Sequence, residues 1–275
     1  MGCTPDNQFR NGLLATWWFG GFGGPPPKCR SLNEPAYWYL VQSVPKPPHF
    51  VRDYRRLVAQ LAAKRPLDEA MALAVGGGDY EAIGASEAEL LIESGFAAGH
   101  SLIDVGCGSG RLSSHLSKRF GDAITYLGVD VIPELLDYAR RRSAPAYRFE
   151  LTGGLTVPAA DGCADFVAAF SVFTHLRHAE TASYLRDIRR TLRPGGLLVF
   201  SFLELPYHAR IFVSTAMRKL VGKCHPENHF LSRQSIMRMG AELEFTLEKF
   251  LPRQRHGTCW QSPSDHSIAV LRAIG

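Results

Sequence analysis

Apolar side chains recur along this chain at two different periods, and the period changes near residue 100. Between residues 50 and 95 they recur at three- and four-residue spacing, which predicts amphipathic helices. Pro66 interrupts the first helix, and Asp68 begins the second. Ser86, with Glu89 three residues later, predicts the capping box of a third helix.

From residue 100 onward, apolar runs of strand length alternate with amphipathic stretches of helix length. This alternation is typical of a parallel sheet with helices on both faces. Strands are predicted at Leu102–Val105, Ile124–Val129, Tyr147–Leu151, Asp165–Ser171 and Leu197–Phe202, and helices near Arg111–Phe120, Pro133–Arg142 and Ala179–Leu192. A turn is predicted at Arg193–Gly196, because Pro194 ends a helix and the glycines permit positive φ.

The last part of the chain continues with helices predicted at Ser214–Val221 and Ser232–Met239. It ends with alternating strands at Leu243–Leu247 and Ser267–Ile274, which favour an antiparallel pair. We therefore expect an α/β fold, with a doubly wound, mostly parallel seven-stranded sheet, an antiparallel last strand and helices on both faces.

Composition divides the chain into three segments. Residues 1–49 hold eight of the 17 prolines, so we expect a Pro/Gly-rich N-terminal extension there. Residues 50–99 are expected to form a helical lid or cap, and residues 100–275 the main domain.

Charge and cysteine usage narrow the class of protein. The 275 residues carry a formal net charge of +5 without a basic tail, so nucleic-acid binding is not expected. The six cysteines are scattered, which favours reduced thiols and a cytoplasmic location. The most apolar N-terminal stretch, Leu13–Gly24, is too short to span a bilayer, and we expect neither a signal peptide nor a membrane span.

A glycine-rich turn follows the first predicted strand. Gly106, Gly108 and Gly110 form a G-x-G-x-G pattern directly before a helix, where free N–H groups can bind a negative ligand. A dinucleotide fingerprint would need its third glycine at position 111, which is Arg111. Asp130 lies 20 residues after Gly110, where an acidic side chain accepts hydrogen bonds from ribose hydroxyls. A glycine loop alone is often only a tight turn, but together with Asp130 it indicates a nucleotide-like ligand.

Further motifs follow Asp130 in order. Asp161–Val167 with Phe170–Leu176 covers the fourth strand, and Leu192–Gly196 precedes the fifth. With the glycine loop, these motifs resemble the class I S-adenosylmethionine-dependent methyltransferases over roughly residues 84–204. The resemblance implies a methyltransferase enzyme whose cofactor, S-adenosyl-L-methionine, binds to the Rossmann-like domain at residues 100–275.

The resemblance also implies which residues bind the cofactor. They are Asp104, Gly106, Cys107, Gly108, Ser109, Gly110, Asp130, Val131, Ile132 and Ser171. Asp104 would hold the amino group, Asp130 the ribose hydroxyls, and Val131 with Ile132 the adenine. Many relatives carry an acidic adenine-binding residue where this chain has Gly153, so Thr152 or the backbone is expected to take that role.

Candidate catalytic residues follow the fourth and fifth strands. His175, Glu204 and His208 would contact the acceptor or take its proton, because ligands of open α/β sheets bind at the carboxyl ends of strands. Equally, His175 could be a helix-start residue bonded to backbone, and the other two could be ordinary loop residues. Cys224–His229 places His, Glu and His at alternate positions, but this matches no common zinc spacing, and we expect no metal.

The expected function is methyl transfer to an oxygen or nitrogen of a small-molecule or glycan- or lipid-linked acceptor. A net charge of +4 after residue 200 favours an anionic acceptor. Two other functions stay open. A non-catalytic module of the same fold would bind the cofactor or a partner, and an RNA methyltransferase would show strongly salt-dependent RNA binding.

Overall fold

The fold is described from a computed structural model, which covers residues 48–77, 79–204, 228–252 and 266–275. These residues all belong to one compact unit, Lys46–Gly275. The predicted N-terminal extension, the helix predicted at Ser214–Val221 and the candidate residue His208 lie outside the described residues.

In the described part of the chain, three helices precede the sheet: α1 (His49–Ala62), α2 (Leu67–Ala74) and α3 (Tyr80–Glu93). The predicted start of α3 is wrong. The Asp79 side chain accepts a hydrogen bond from the backbone N–H of Ala82 (3.1 Å), so the helix begins at Tyr80 and Ser86 lies inside it.

Strands and helices then alternate as the sequence pattern predicts. The elements are β1 (Ser101–Val105), α4 (Arg111–Phe120), β2 (Thr125–Asp130), α5 (Pro133–Arg142), β3 (Arg148–Leu151), β4 (Ala164–Ala169), α6 (His178–Thr191), β5 (Leu192–Glu204), β6 (Phe230–Leu231), α7 (Arg233–Glu242), β7 (Phe245–Leu251) and β8 (Ser267–Ala273). The sheet order is β3-β2-β1-β4-β5-β8-β7, with the short β6 beside the end of β5. Because β8 pairs antiparallel to both neighbours and the other strands run parallel, the predicted fold is confirmed.

The segment Arg193–Gly196, predicted as a turn, lies within β5 as a bulge. Ala164 of β4 pairs with Leu192, and Phe166, two residues on, pairs with Leu197. The extra residues of β5 are accommodated by Gly195, whose φ is +81°. These residues do bend the backbone as the sequence predicts, but β5 pairs with β4 both before and after them, so the strand continues through the bend.

Alternate residues of the central strands pack on opposite faces of the sheet. In β1, Ile103 joins one buried cluster with Phe200, and Leu102 joins another with Phe166. A third buried cluster, which includes Met71 and Leu135, packs the N-terminal helices against α5. Within the described ranges, no helix has both the length and the apolar character needed to cross a lipid bilayer.

Candidate active site

A cavity of about 430 Å³ lies at the carboxyl ends of β1, β2 and β4, and residues of α1, α2 and α3 also line it. The sheet order reverses at this position, because β2 and β4 lie on opposite sides of β1. Such a switch point opens a crevice between the loops that leave neighbouring strands, which is where open α/β sheets bind ligands. Its volume is within the range of about 300–1,000 Å³ that is typical of small-molecule sites.

The glycine loop between β1 and α4 forms one wall of the cavity. Gly106 and Gly108 have φ values of +69° and +56°, which favour glycine. A Cβ atom would lie 2.5 Å from Val172 Cγ2 at Gly106, and 2.5 Å from Val75 Cγ1 at Gly108. At each of these positions glycine is therefore required for two reasons: the backbone conformation, and the close approach of a neighbouring segment.

Asp130, at the end of β2, both lines the cavity and holds the glycine loop. Its Oδ2 accepts the backbone N–H of Gly108 and its Oδ1 that of Ile132, both at 2.9 Å. Burial raises the pKa of Asp130 to about 6, although these two N–H donors oppose the rise. Each carboxylate oxygen keeps a second lone pair, so the group can still accept hydrogen bonds from a ligand.

Asp104 in β1 is a second buried carboxyl group in the same cavity. Burial raises the pKa of Asp104 to about 7, and the hydroxyl group of Tyr126, which donates to Oδ2 at 2.6 Å, opposes the rise. An ionised carboxylate here would gain from a cationic ligand group, because burial has removed its water.

Arg111 and Glu87 form a buried ion pair at the edge of the cavity. The Arg111 Nε lies 3.1 Å from Glu87 Oε2, and its Nη1 donates to the Val75 carbonyl at 3.1 Å. The first residue of α4 is thereby tied to α3 and to the end of α2. In the sequence, Arg111 indicates only that the glycine loop is not a dinucleotide fingerprint. Glu87 is spaced four residues from apolar residues on the buried face of α3, and this spacing was the available signal in the sequence for the ion pair.

The N-terminal helices contact the glycine loop directly. The Ser109 hydroxyl donates to the Met71 carbonyl at 3.1 Å, and the Tyr80 hydroxyl donates to the Ser109 carbonyl at 3.0 Å. On α1, the Tyr54 ring lies edge-on to His175, with ring centroids 5.3 Å apart. The helices expected to form a lid therefore supply part of the cavity wall.

The structure brings most of the expected cofactor-binding residues to the cavity. Those that line it are Asp104, Gly106, Cys107, Gly108, Asp130, Val131 and Ser171, together with Thr152 and the candidate catalytic residue His175. Ser109, Gly110 and Ile132 are not among the lining residues: Ser109 contacts α2, Gly110 packs on Ala139, and Ile132 packs against Leu135.

Glu204 is also not among the lining residues. Its carboxylate lies 2.6 Å from Arg233 Nε and accepts the Ser267 hydroxyl at 2.9 Å, so these contacts join the end of β5 to α7 and β8. The cavity is also lined by residues that were not candidates from the sequence for cofactor or acceptor binding, including Tyr184, Asn228 and His266. They come from distant parts of the chain, and no local pattern joins them.

Residues 102–196 match the family model described as "Methyltransferase domain". "Methyltransferase GfsG" of Streptomyces halstedii is 31% identical over 38% of this chain and 38% of its own length. "Ubiquinone biosynthesis O-methyltransferase" of Cereibacter sphaeroides is 32% identical over 38% of this chain and 42% of its own length. The chain thus spans about two fifths of the length of these curated relatives.

The fold is similar to solved structures over most of the chain. The crystal structure of the N-methyltransferase NodS from Bradyrhizobium japonicum, in complex with S-adenosyl-L-homocysteine, superposes with a TM-score of 0.55. It is 16% identical and covers 82% of this chain and 98% of its own.

Proposed function

We propose that this chain, whose residues 102–196 match the methyltransferase family model, is a class I S-adenosylmethionine-dependent methyltransferase that transfers a methyl group to a small-molecule acceptor. The observation that carries the proposal is the cavity in which the glycine loop, Asp104 and Asp130 meet. The names of the relatives, which include an O-methyltransferase of ubiquinone biosynthesis, support an acceptor of this size class.

The residues present fit the chemical groups of this cofactor. Asp130 offers carboxylate lone pairs to the ribose hydroxyls, and Asp104 offers a buried negative charge to the amino group. Val131 supplies an apolar surface for the adenine, and Thr152 lies nearby in the cavity wall. When bound, S-adenosylmethionine supplies an electrophilic methyl group on a sulfonium sulfur.

The contribution of the chain to catalysis is mainly positioning and exclusion of water. Phe170, Val172 and Leu176 give the cavity an apolar wall after β4, and an acceptor held there in line with the methyl group gains most of its rate from orientation. His175, in the same wall, can take a proton from a neutral hydroxyl or amine.

The charges in the cavity favour a neutral acceptor. Among the described lining residues, the Lys, Arg, Asp and Glu side chains are Glu87, Asp104, Arg111 and Asp130, all on the cofactor side. The remaining polar groups are hydroxyl, imidazole and amide groups. We therefore propose an uncharged hydroxyl or amine acceptor in place of the anionic one.

Calorimetric titration with S-adenosyl-L-homocysteine tests the cofactor site. Asp130→Ala should weaken binding at least about tenfold, because it removes charge-assisted hydrogen bonds and frees the glycine loop. The matched control is Asp137→Ala on the exposed face of α5, which should leave binding unchanged. Unchanged binding in Asp130→Ala would show that the site is wrongly placed.

Transfer of a labelled methyl group tests the acceptor class. We expect turnover with neutral phenols, catechols or amines and little with carboxylated or phosphorylated analogues. Binding of S-adenosyl-L-homocysteine without turnover on the whole panel would favour a non-catalytic module. Turnover confined to RNA, falling steeply with salt, would favour the nucleic-acid alternative.

A further inference from the structure

A buried hydroxyl group behind the cavity wall joins two residues that line the cavity. Ser201, in β5, is 2% exposed. Its Oγ accepts the backbone N–H of Ser171 at 2.7 Å and lies 3.3 Å from Nδ1 of His266. Ser171 and His266 both line the cavity, whereas Ser201 is not among its lining residues.

Ser171 has a strained backbone. Its φ is +60°, in the left-handed region that residues with a Cβ rarely adopt. The Thr174 hydroxyl donates to the Ser171 carbonyl at 2.9 Å, so both backbone polar groups of Ser171 are held by buried hydroxyl groups. Strain of this kind persists only where surrounding contacts determine the conformation, and it is concentrated at functional sites.

The Nδ1 atom of His266 lies within hydrogen-bond distance of Ser201. The Ser201 oxygen already accepts a hydrogen bond from Ser171, so its own hydrogen is available to the lone pair of His266 Nδ1. A hydroxyl that donates to Nδ1 places the ring proton on Nε2 and fixes the orientation of the ring.

We propose that Ser201 is a positioning residue, which uses a single hydroxyl group to hold the strained Ser171 backbone and to set the orientation and tautomer of His266. The inference rests on the proposed function, in which the cavity lined by Ser171 and His266 holds the cofactor and the acceptor. Ser201 then keeps these two parts of the cavity wall in a constant relation, since neither contact can shift without disturbing the other.

Imidazole ¹⁵N NMR of the ligand-free full chain tests the link to His266, with His266→Gln used to assign its signals. The neutral ring should carry its proton on Nε2. Ser201→Ala should lower the fraction of neutral rings that carry the proton on Nε2, because the lost bond stabilises only that tautomer. An unchanged tautomer ratio would overturn the proposal. Thr191→Val is the control, since this buried hydroxyl donates to Ile188 within α6 and should leave His266 unchanged.

Binding of S-adenosyl-L-homocysteine tests the link to Ser171. Ser201→Ala should raise the dissociation constant about five- to tenfold, as expected for one lost buried hydrogen bond. In a Ser171→Gly background the same change should cost less than about twofold, because glycine adopts a left-handed φ without strain. Equal losses in both backgrounds would contradict the positioning role.

Two further comparisons keep the test decisive. If Ser201→Ala does not fold, Thr174→Val should show the same dependence on the residue at position 171, because Thr174 holds the other side of Ser171. If the unmodified chain does not bind S-adenosyl-L-homocysteine, the proposed function fails, but the NMR measurement still decides whether Ser201 sets the tautomer of His266.

Discussion

Binding of the cofactor product should depend on pH through Asp104. S-adenosyl-L-homocysteine carries an ammonium group, and in our proposal this group pairs with the ionised form of Asp104. Burial raises the pKa of Asp104 to about 7. Lowering the pH through 7 therefore protonates the carboxylate that the ligand requires, and affinity should fall in the acid direction.

The size of the effect follows from the pKa. For one group that must be ionised, the apparent dissociation constant is multiplied by one plus the ratio of protonated to ionised carboxyl. With a pKa of about 7 this factor is close to one at pH 8 and about eleven at pH 6, a loss of about tenfold, or 1.4 kcal/mol. Asp130, with a pKa raised to about 6, adds a smaller loss, about twofold at pH 6.

Calorimetry at pH 6, 7 and 8, in two buffers of different ionisation enthalpy, measures both the affinity and the protons released. At pH 7 about half a proton should be released per ligand bound. Asp104→Asn should bind more weakly and show no change between pH 8 and pH 7. Tyr126→Phe should move the transition to higher pH, because the Tyr126 hydroxyl lowers the pKa of Asp104. The reasoning is refuted if the unmodified protein binds equally well from pH 6 to pH 8, or if Asp104→Asn keeps the same slope.

Three further substitutions separate structural roles from ligand binding. Glu87→Gln should lower the free energy of unfolding by about 3 kcal/mol, because it leaves the buried Arg111 without its counter-charge. The control, Glu89→Gln on the exposed face of the same helix, should change this free energy by less than about 0.5 kcal/mol. Equal effects of the two substitutions in chemical denaturation would contradict this prediction. Gly108→Ala should abolish binding of S-adenosyl-L-homocysteine, because its φ is +56° and the added Cβ would lie 2.5 Å from Val75. The control, Gly99→Ala, has a φ of +87° and open space around it, so it should lower stability but keep binding. Glu204→Gln should lower the thermal unfolding temperature and leave the dissociation constant within about twofold, because its carboxylate pairs with Arg233 outside the cavity lining; a large loss of binding would instead support a role at the site.

Local sequence signals predicted the elements that hold the cofactor loop. The bounds of α4 and α5 are those expected from their apolar spacing, from Gly110 before α4 and from Pro133 at the start of α5. The glycine spacing and Asp130 predicted a nucleotide-like ligand, because the loop follows β1 and Asp130 ends β2, the next strand along the chain. These features follow from short motifs and their spacing, which is the information that a single sequence carries most directly.

Contacts between distant parts of the chain set which side chains face the cavity. Ser109 and Ile132 lie within the expected motifs, yet they are directed into contacts with α2 and with α5. Arg111 finds Glu87 on another helix, and His266 finds Ser201 on another strand. Periodicity and backbone freedom are properties of the local chain, so the fold class and the glycine loop could be predicted from the amino-acid pattern. The orientation of a side chain depends on which distant surface packs against it. It is therefore set by the packing of the strands and helices, which a local pattern does not contain.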